Sequence, residues 1–139
     1  MHEADKHDFN SFVTLTYSDT PEYSYNGVGL IPEHLRDFWK RFRFHLYPQK
    51  ISYFAVGEYG SQNQRPHYHA CIFGWYPIGT DSIPVRPGLV TSARLQKAWG
   101  HGFVSVGELT PESAAYVSGY CLKKVTGKNA QEFYLNLIS

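Results

Sequence analysis

Two apolar runs, Ile51–Gly57 and His67–Trp75, flank a connection rich in Gly, Ser, Asn and Gln that closes on Pro66. Runs of this length and composition, joined by a short polar loop, pair as an antiparallel hairpin. A hairpin commits the chain to a sheet, and other segments can extend it. Ser11–Tyr17 reads S-F-V-T-L-T-Y, a strand with Phe12, Thr14 and Thr16 on one side and Val13, Leu15 and Tyr17 on the other. Phe103–Val106 is a further short strand.

Helical periodicity fills the intervals. Pro32 opens a segment in which Leu35, Phe38, Trp39, Phe42 and Leu46 recur at steps of three and four. Arg36, Lys40, Arg41 and Arg43 take its other sides, and Pro48 stops it. Ser92–Trp99 reads as a short helix. Thr110 as cap and Pro111 as first helical residue start another, running to about Val125. A last helix is expected over Ala130–Ile138. Ser18–Gly29 and the proline-rich Pro77–Gly88 read as irregular connections. The order predicts an α+β domain: an antiparallel sheet of about five strands with helices on one face and the other face open to a partner.

The length of 139 residues suits a single domain over 1–139. Apolar residues at 42% against 18% charged exclude a disordered tail as the whole molecule. A formal charge of +1 does not announce a nucleic-acid binder, so phosphate affinity has to come from local clusters. Lys40, Arg41 and their helical neighbours form one such cluster. Arg65, Lys123, Lys124 and Lys128 form a second. Tyr23, Tyr25, Tyr53, Tyr59 and Tyr68 include candidates for stacking on bases, whereas Trp39 and Trp99 suit the core. Cys71 and Cys121 fit neither a zinc finger nor a disulfide framework, and reduced cytosolic thiols are expected. No apolar run nears the ~20 residues that cross a bilayer.

Two constellations carry chemistry. His67 and His69, two apart on a strand, point to the same side and make a partial chelate for a divalent metal. Glu58, on the neighbouring strand or its end and sharing a face with Phe54 and Val56, would complete a three-ligand set. Glu108, in a second Val-Gly-Glu string, is the alternative acid. The other constellation is the helix bearing Tyr116, Tyr120 and Lys123, which fall within roughly 60° of its circumference. Val117, Cys121 and Val125 mark a different, apolar side. Tyrosine can act as a covalent nucleophile, and lysine can stabilise a phosphate or a developing oxyanion. Together these parts suit metal-assisted tyrosine attack on a phosphodiester.

Three stretches resemble the rolling-circle replication initiators of the HUH endonuclease superfamily, above all those of small single-stranded DNA bacteriophages. They are Phe12–Tyr17, Gly57-Glu58-Tyr59-Gly60 leading into Arg65-Pro66-His67-Tyr68-His69, and Tyr116 to Lys124. The resemblance covers about residues 10 to 128. It implies an HUH, RRM-like sheet, Mg2+ or Mn2+ as cofactor, and a covalent 5′ protein–DNA link. It implies Tyr116 or Tyr120 as nucleophile with Lys123 assisting. Arg65, Lys124, Arg41, Lys40 and Tyr68 are the expected DNA contacts. It further implies single-stranded origin DNA as partner, a host replication helicase or polymerase as another, no membrane, a monomer, and the cytoplasm of a bacterial host. Full phage initiators are usually longer, so the chain is expected to be a nuclease-domain fragment or a compact relative. The competing readings are a single-tyrosine HUH transposase and a non-catalytic single-stranded nucleic-acid binder with an open aromatic sheet.

Overall fold

The computed structural model describes residues 9–18, 30–58, 65–126 and 133–138, with side chains described up to residue 119. Seven strands form one antiparallel sheet: β1 (Asn10–Tyr17), β2 (Ser52–Glu58), β3 (His67–Phe73), β4 (Ser82–Arg86), β5 (Leu89–Ser92), β6 (Gly102–Glu108) and β7 (Phe133–Ile138). Their spatial order is β4-β5-β6-β1-β3-β2-β7. The helices are α1 (Pro32–Leu46), α2 (Ala93–Trp99) and α3 (Pro111–Thr126). The expected α+β architecture holds, with β2 and β3 paired as the hairpin.

Strict alternation in β1 separates two faces. Val13, Leu15 and Tyr17 are buried, while Phe12, Thr14 and Thr16 are half-buried on the opposite side. The first face meets the stripe of α1, in which Leu35, Phe38, Trp39, Phe42 and Leu46 are all buried. Leu95, Ala98 and Trp99 of α2 join the same core. Trp39 stacks on Tyr53 with ring centroids 3.5 Å apart. Each large side chain fully buried here contributes about 1.5–3 kcal/mol, so this layer supplies most of the apolar stabilisation. Gly57 makes room for it: a Cβ there would stand 2.9 Å from the Tyr68 ring carried by the neighbouring strand.

The structure departs from expectation in three places. Residues 133–138 form β7 rather than a helix. They pair with β2 from Tyr53 to Glu58, where the edge backbone needs partners that a strand supplies and a helix cannot. The Pro77–Gly88 excursion contains β4, which turns at Gly88 (φ 81°) and pairs with β5. Pro84 is tolerated because β4 lies at the sheet edge. These two additions raise the sheet above the five strands expected. Finally, the helices do not share one face. Val117 of α3 packs on Val56, Cys71 and Phe73, with Phe12, Phe54 and Leu109 around them, on the side away from α1 and α2. The strands carry apolar residues on both faces, so a second, smaller core forms there.

Thr110 caps α3, its hydroxyl accepting from the Ser113 amide at 3.1 Å. The Ser113 hydroxyl lies 3.0 Å from the same oxygen, taking the place of the Glu of a capping box. Among the described residues no helix is long and apolar enough to cross a membrane.

Candidate metal centre and tyrosine site

Sheet register assembles the site. In β3, His67 and His69 point to the face of α3 while Tyr68 points into the main core. Glu58 pairs with His67 across β2–β3, and Thr14 pairs with His69 across β1–β3. One potential ligand atom from each of Glu58, His67 and His69 falls within 4.8 Å of the others. Glu58 Oε1 lies 3.0 Å from His67 Nε2, with the two side chains 14% and 12% exposed. Glu108, the alternative acid, pairs with Ser11 at the other end of β1 and lies outside this cluster.

The ring orientations test whether a metal would fit. His67 Nδ1 donates to the Arg65 carbonyl at 2.7 Å, and a carbonyl only accepts. His67 Nε2 is therefore the atom turned to Glu58, and a positive charge, as a proton or a metal ion, has to lie between it and the carboxylate. His69 Nδ1 lies 3.0 Å from the Thr14 hydroxyl. When that nitrogen donates to Thr14, Nε2 presents its lone pair. Phe12 stacks on the His69 ring at 5.2 Å and holds its plane. Two imidazole nitrogens and one carboxylate, each imidazole oriented by a second partner, form a donor set for Mn2+ or a similar ion. Mg2+ would need further oxygens, such as those of a phosphate.

Burial, with His67 adding to it, holds the His69 imidazole down to about 3, so the ring is neutral and ligand-competent at physiological pH. The Tyr116 ring meets His69 edge-on, with centroids 5.3 Å apart. Tyr116 is 45% exposed. Burial of its inner part and, second, the Glu58 charge push its phenol above the ordinary tyrosine value. A cation at the cluster would offset the Glu58 contribution. The first turns of α3, fixed by the Thr110 cap and by Val117, thus put a phenol beside the two imidazoles.

Other expected contacts are not assembled here. Tyr68 is fully buried against Tyr17 and Trp99 and cannot offer a face to a base, because period-two alternation sends it opposite His67 and His69. Tyr53 is likewise buried under Trp39. Arg41 donates from Nε to the Ala98 carbonyl oxygen at 2.9 Å and from Nη2 to that of Trp99 at 3.4 Å, closing the end of α2. It and Lys40 ride on α1, across the sheet from the imidazoles, which corrects their assignment as contacts to DNA bound at this site. Arg65 does lie on the site's side, its guanidinium carbon 5.6 Å from the centre of the Phe103 ring. Tyr23, Tyr25, Tyr59 and Lys128, and the side chains of Tyr120, Lys123 and Lys124, lie outside what is described. Sequence reasoning did not single out Thr14 or Phe12 as supports of His69. The alternation of β1 showed that they share a face, but only the register with β3 shows which imidazole they meet.

Comparison with known proteins agrees with this geometry. The family model of the replication-associated protein ORF2 matches residues 10–125. Replication-associated protein ORF2 of Spiroplasma virus 4 is 38% identical over 136 residues, which is 91% of this chain and 42% of the viral protein. Replication-associated protein ORF4 of Chlamydia phage 1 is 33% identical over 133 residues, 88% of this chain and 32% of that protein. Replication-associated protein VP4 of Bdellovibrio phage phiMH2K is 30% identical over 138 residues, 94% and 44% respectively. The chain thus spans less than half the length of each of these relatives. No solved structure matches it significantly. The matched segment runs from β1 into α3 and contains Glu58, His67, His69 and Tyr116; the chain belongs to the replication-associated protein ORF2 family, as its resemblance to phage replication initiators implied.

Proposed function

We propose that the chain is a nuclease domain that nicks and rejoins single-stranded DNA at a replication origin and so starts rolling-circle replication. The observation that carries this is the edge-on contact of Tyr116 with His69 inside the Glu58–His67–His69 cluster. Glu58, His67 and His69 are the residues that would hold Mg2+ or Mn2+. A divalent ion there would polarise a scissile phosphate and offset charge in the transition state. Tyr116 Oη attacks phosphorus in line, the bond from phosphorus to the 3′ oxygen breaks, and that oxygen leaves as a 3′-OH after taking up a proton. A 5′-phosphotyrosine remains. The number of ester bonds is unchanged, so no nucleotide cofactor is consumed, and a 3′-OH attacking the adduct rejoins the strand. Tyr120 serves as the second tyrosine for repeated rounds, and Lys123 stabilises the phosphate or the leaving oxygen. Arg65 and Lys124 contact backbone phosphates. The printed names of the three phage and viral relatives favour this reading over a transposase. We further assign residues 1–139 to one domain, acting as a monomer in the cytoplasm of a bacterial host beside a host helicase or polymerase.

The test is adduct formation on a labelled pool of random single-stranded oligonucleotides with Mn2+. A protein–DNA product stable in denaturant is expected, and the attached peptide identifies the nucleophile. Tyr116→Phe and Tyr120→Phe, singly and together, separate the roles of the two tyrosines. Failure of the whole pool to yield an adduct would leave a binding module. Obligate dimerisation with a preference for hairpin ends would indicate a transposase.

A further inference from the structure

β6 carries a side chain that no part of this mechanism uses. Phe103 is 56% exposed, although its neighbours Val104 and Val106 lie in the main core. Alternation therefore turns Phe103 to the face that holds the imidazoles. Thr16 pairs with Phe103 on one side and with His67 on the other, so the three stand in one row across β6, β1 and β3. Two strand spacings put Phe103 about 10 Å from His67, backbone to backbone. The core contacts of α3 are with Val56, Cys71 and Phe73 of β2 and β3, and Phe103 lies beyond them, toward β6. The Arg65 guanidinium stands over the Phe103 ring at 5.6 Å.

We infer that Phe103 is a stacking platform for a nucleobase of the single strand next to the phosphate held at Glu58, His67 and His69. The platform rests on the reading above that this face handles single-stranded DNA. An exposed aromatic ring stacks on any base, and an arginine beside it adds attraction for both the base and the adjoining phosphate. A lone surface phenylalanine needs no explanation by itself. This one lies in register with the proposed metal ligands and under a cation. It is a positioning residue: it holds the strand in register, so that one phosphate rather than its neighbours meets Tyr116.

The experiment measures binding of two labelled strands, an oligothymidylate of about 15 nucleotides and an abasic strand of equal length, in the presence of Mn2+. The parent chain should prefer the strand with bases. Phe103→Ala should weaken binding of oligothymidylate by roughly five- to 150-fold and leave the abasic strand nearly unchanged. Phe103→Trp should keep the preference. Because the ring is exposed, all three proteins should melt at similar temperatures and bind Mn2+ alike. Equal loss on both strands, or no loss on either, overturns the platform. A parent that prefers bases through Phe103 but forms no adduct with the random pool supports the platform and refutes the nuclease reading. An adduct formed together with unaltered oligothymidylate binding by Phe103→Ala does the reverse. No binding of either strand by the parent refutes both.

Discussion

Thr14→Val probes how the sheet prepares the metal centre. The substitution keeps the shape of the side chain on β1 and removes the hydroxyl that lies 3.0 Å from His69 Nδ1. Phe12 still stacks on the ring, so the imidazole stays in its slot but loses the partner that fixes its rotation and tautomer. Loss of such an outer partner typically costs 10–100-fold in metal affinity, about 1.4–2.8 kcal/mol. The folded state without metal should lose only about 1 kcal/mol, the net value of one hydrogen bond. Free Mn2+ counted by electron paramagnetic resonance during a titration gives the first quantity, and a urea melt in chelator gives the second. Thr14→Ser, which keeps a hydroxyl, should restore most of the affinity. A Thr14→Val protein that binds Mn2+ within about twofold of the parent would refute the idea that this contact orients a ligand.

Three further outcomes follow from the same geometry. His69 is held at about 3 when folded against 6.5 when exposed, so between those values the unfolded chain binds the extra proton. Stability is full above about pH 6.5 and falls as the pH drops; from pH 7 to 5 the loss from this residue is about 2 kcal/mol. Urea melts in chelator should show it in the parent and not in His69→Gln; equal pH dependence in both would contradict the assignment. Next, the Tyr116 phenol should titrate above the ordinary tyrosine range in metal-free protein, followed by the NMR signal of labelled tyrosine, and Glu58→Gln should move it down. An unchanged titration would remove Glu58 as a cause. Last, Arg41→Ala should cost about 1–2 kcal/mol of stability by freeing the last carbonyls of α2, while leaving single-strand binding unchanged. Weakened binding by a folded Arg41→Ala protein would return α1 to the DNA interface.

The fold was legible where one period dominated a segment. The stripe of α1 and the alternation of β1 named their buried residues correctly, and the spacing of His67 and His69 placed both on one face. It failed where pairing partners decide the outcome. Phe133–Ile138 has no intrinsic mark that distinguishes a strand from a short helix; the free edge of β2 makes it a strand. Pro84 argues against a strand except at an edge, and edge position is a property of the assembled sheet. The site was legible in its chemistry, because Glu58 and the two histidines meet as expected. Its surroundings were not. A side chain of mixed character such as Tyr68 reads equally as a stacking surface or a core residue, and only the burial of its face decides. Arg41 likewise reads as a phosphate contact until the end of α2 is placed beside it. Thr14 became visible only through its register with His69.

The central claim is that three side chains from β2 and β3 share one ion beneath the phenol of α3. The most direct measurement is a crystal grown with Mn2+ and examined by anomalous scattering. One strong peak is expected in contact with Glu58, with Nε2 of His67 and with Nε2 of His69, on the side where the Tyr116 ring lies. A peak bound elsewhere, or a well-ordered Glu58–His67 pair with no ion in saturating Mn2+, would contradict it.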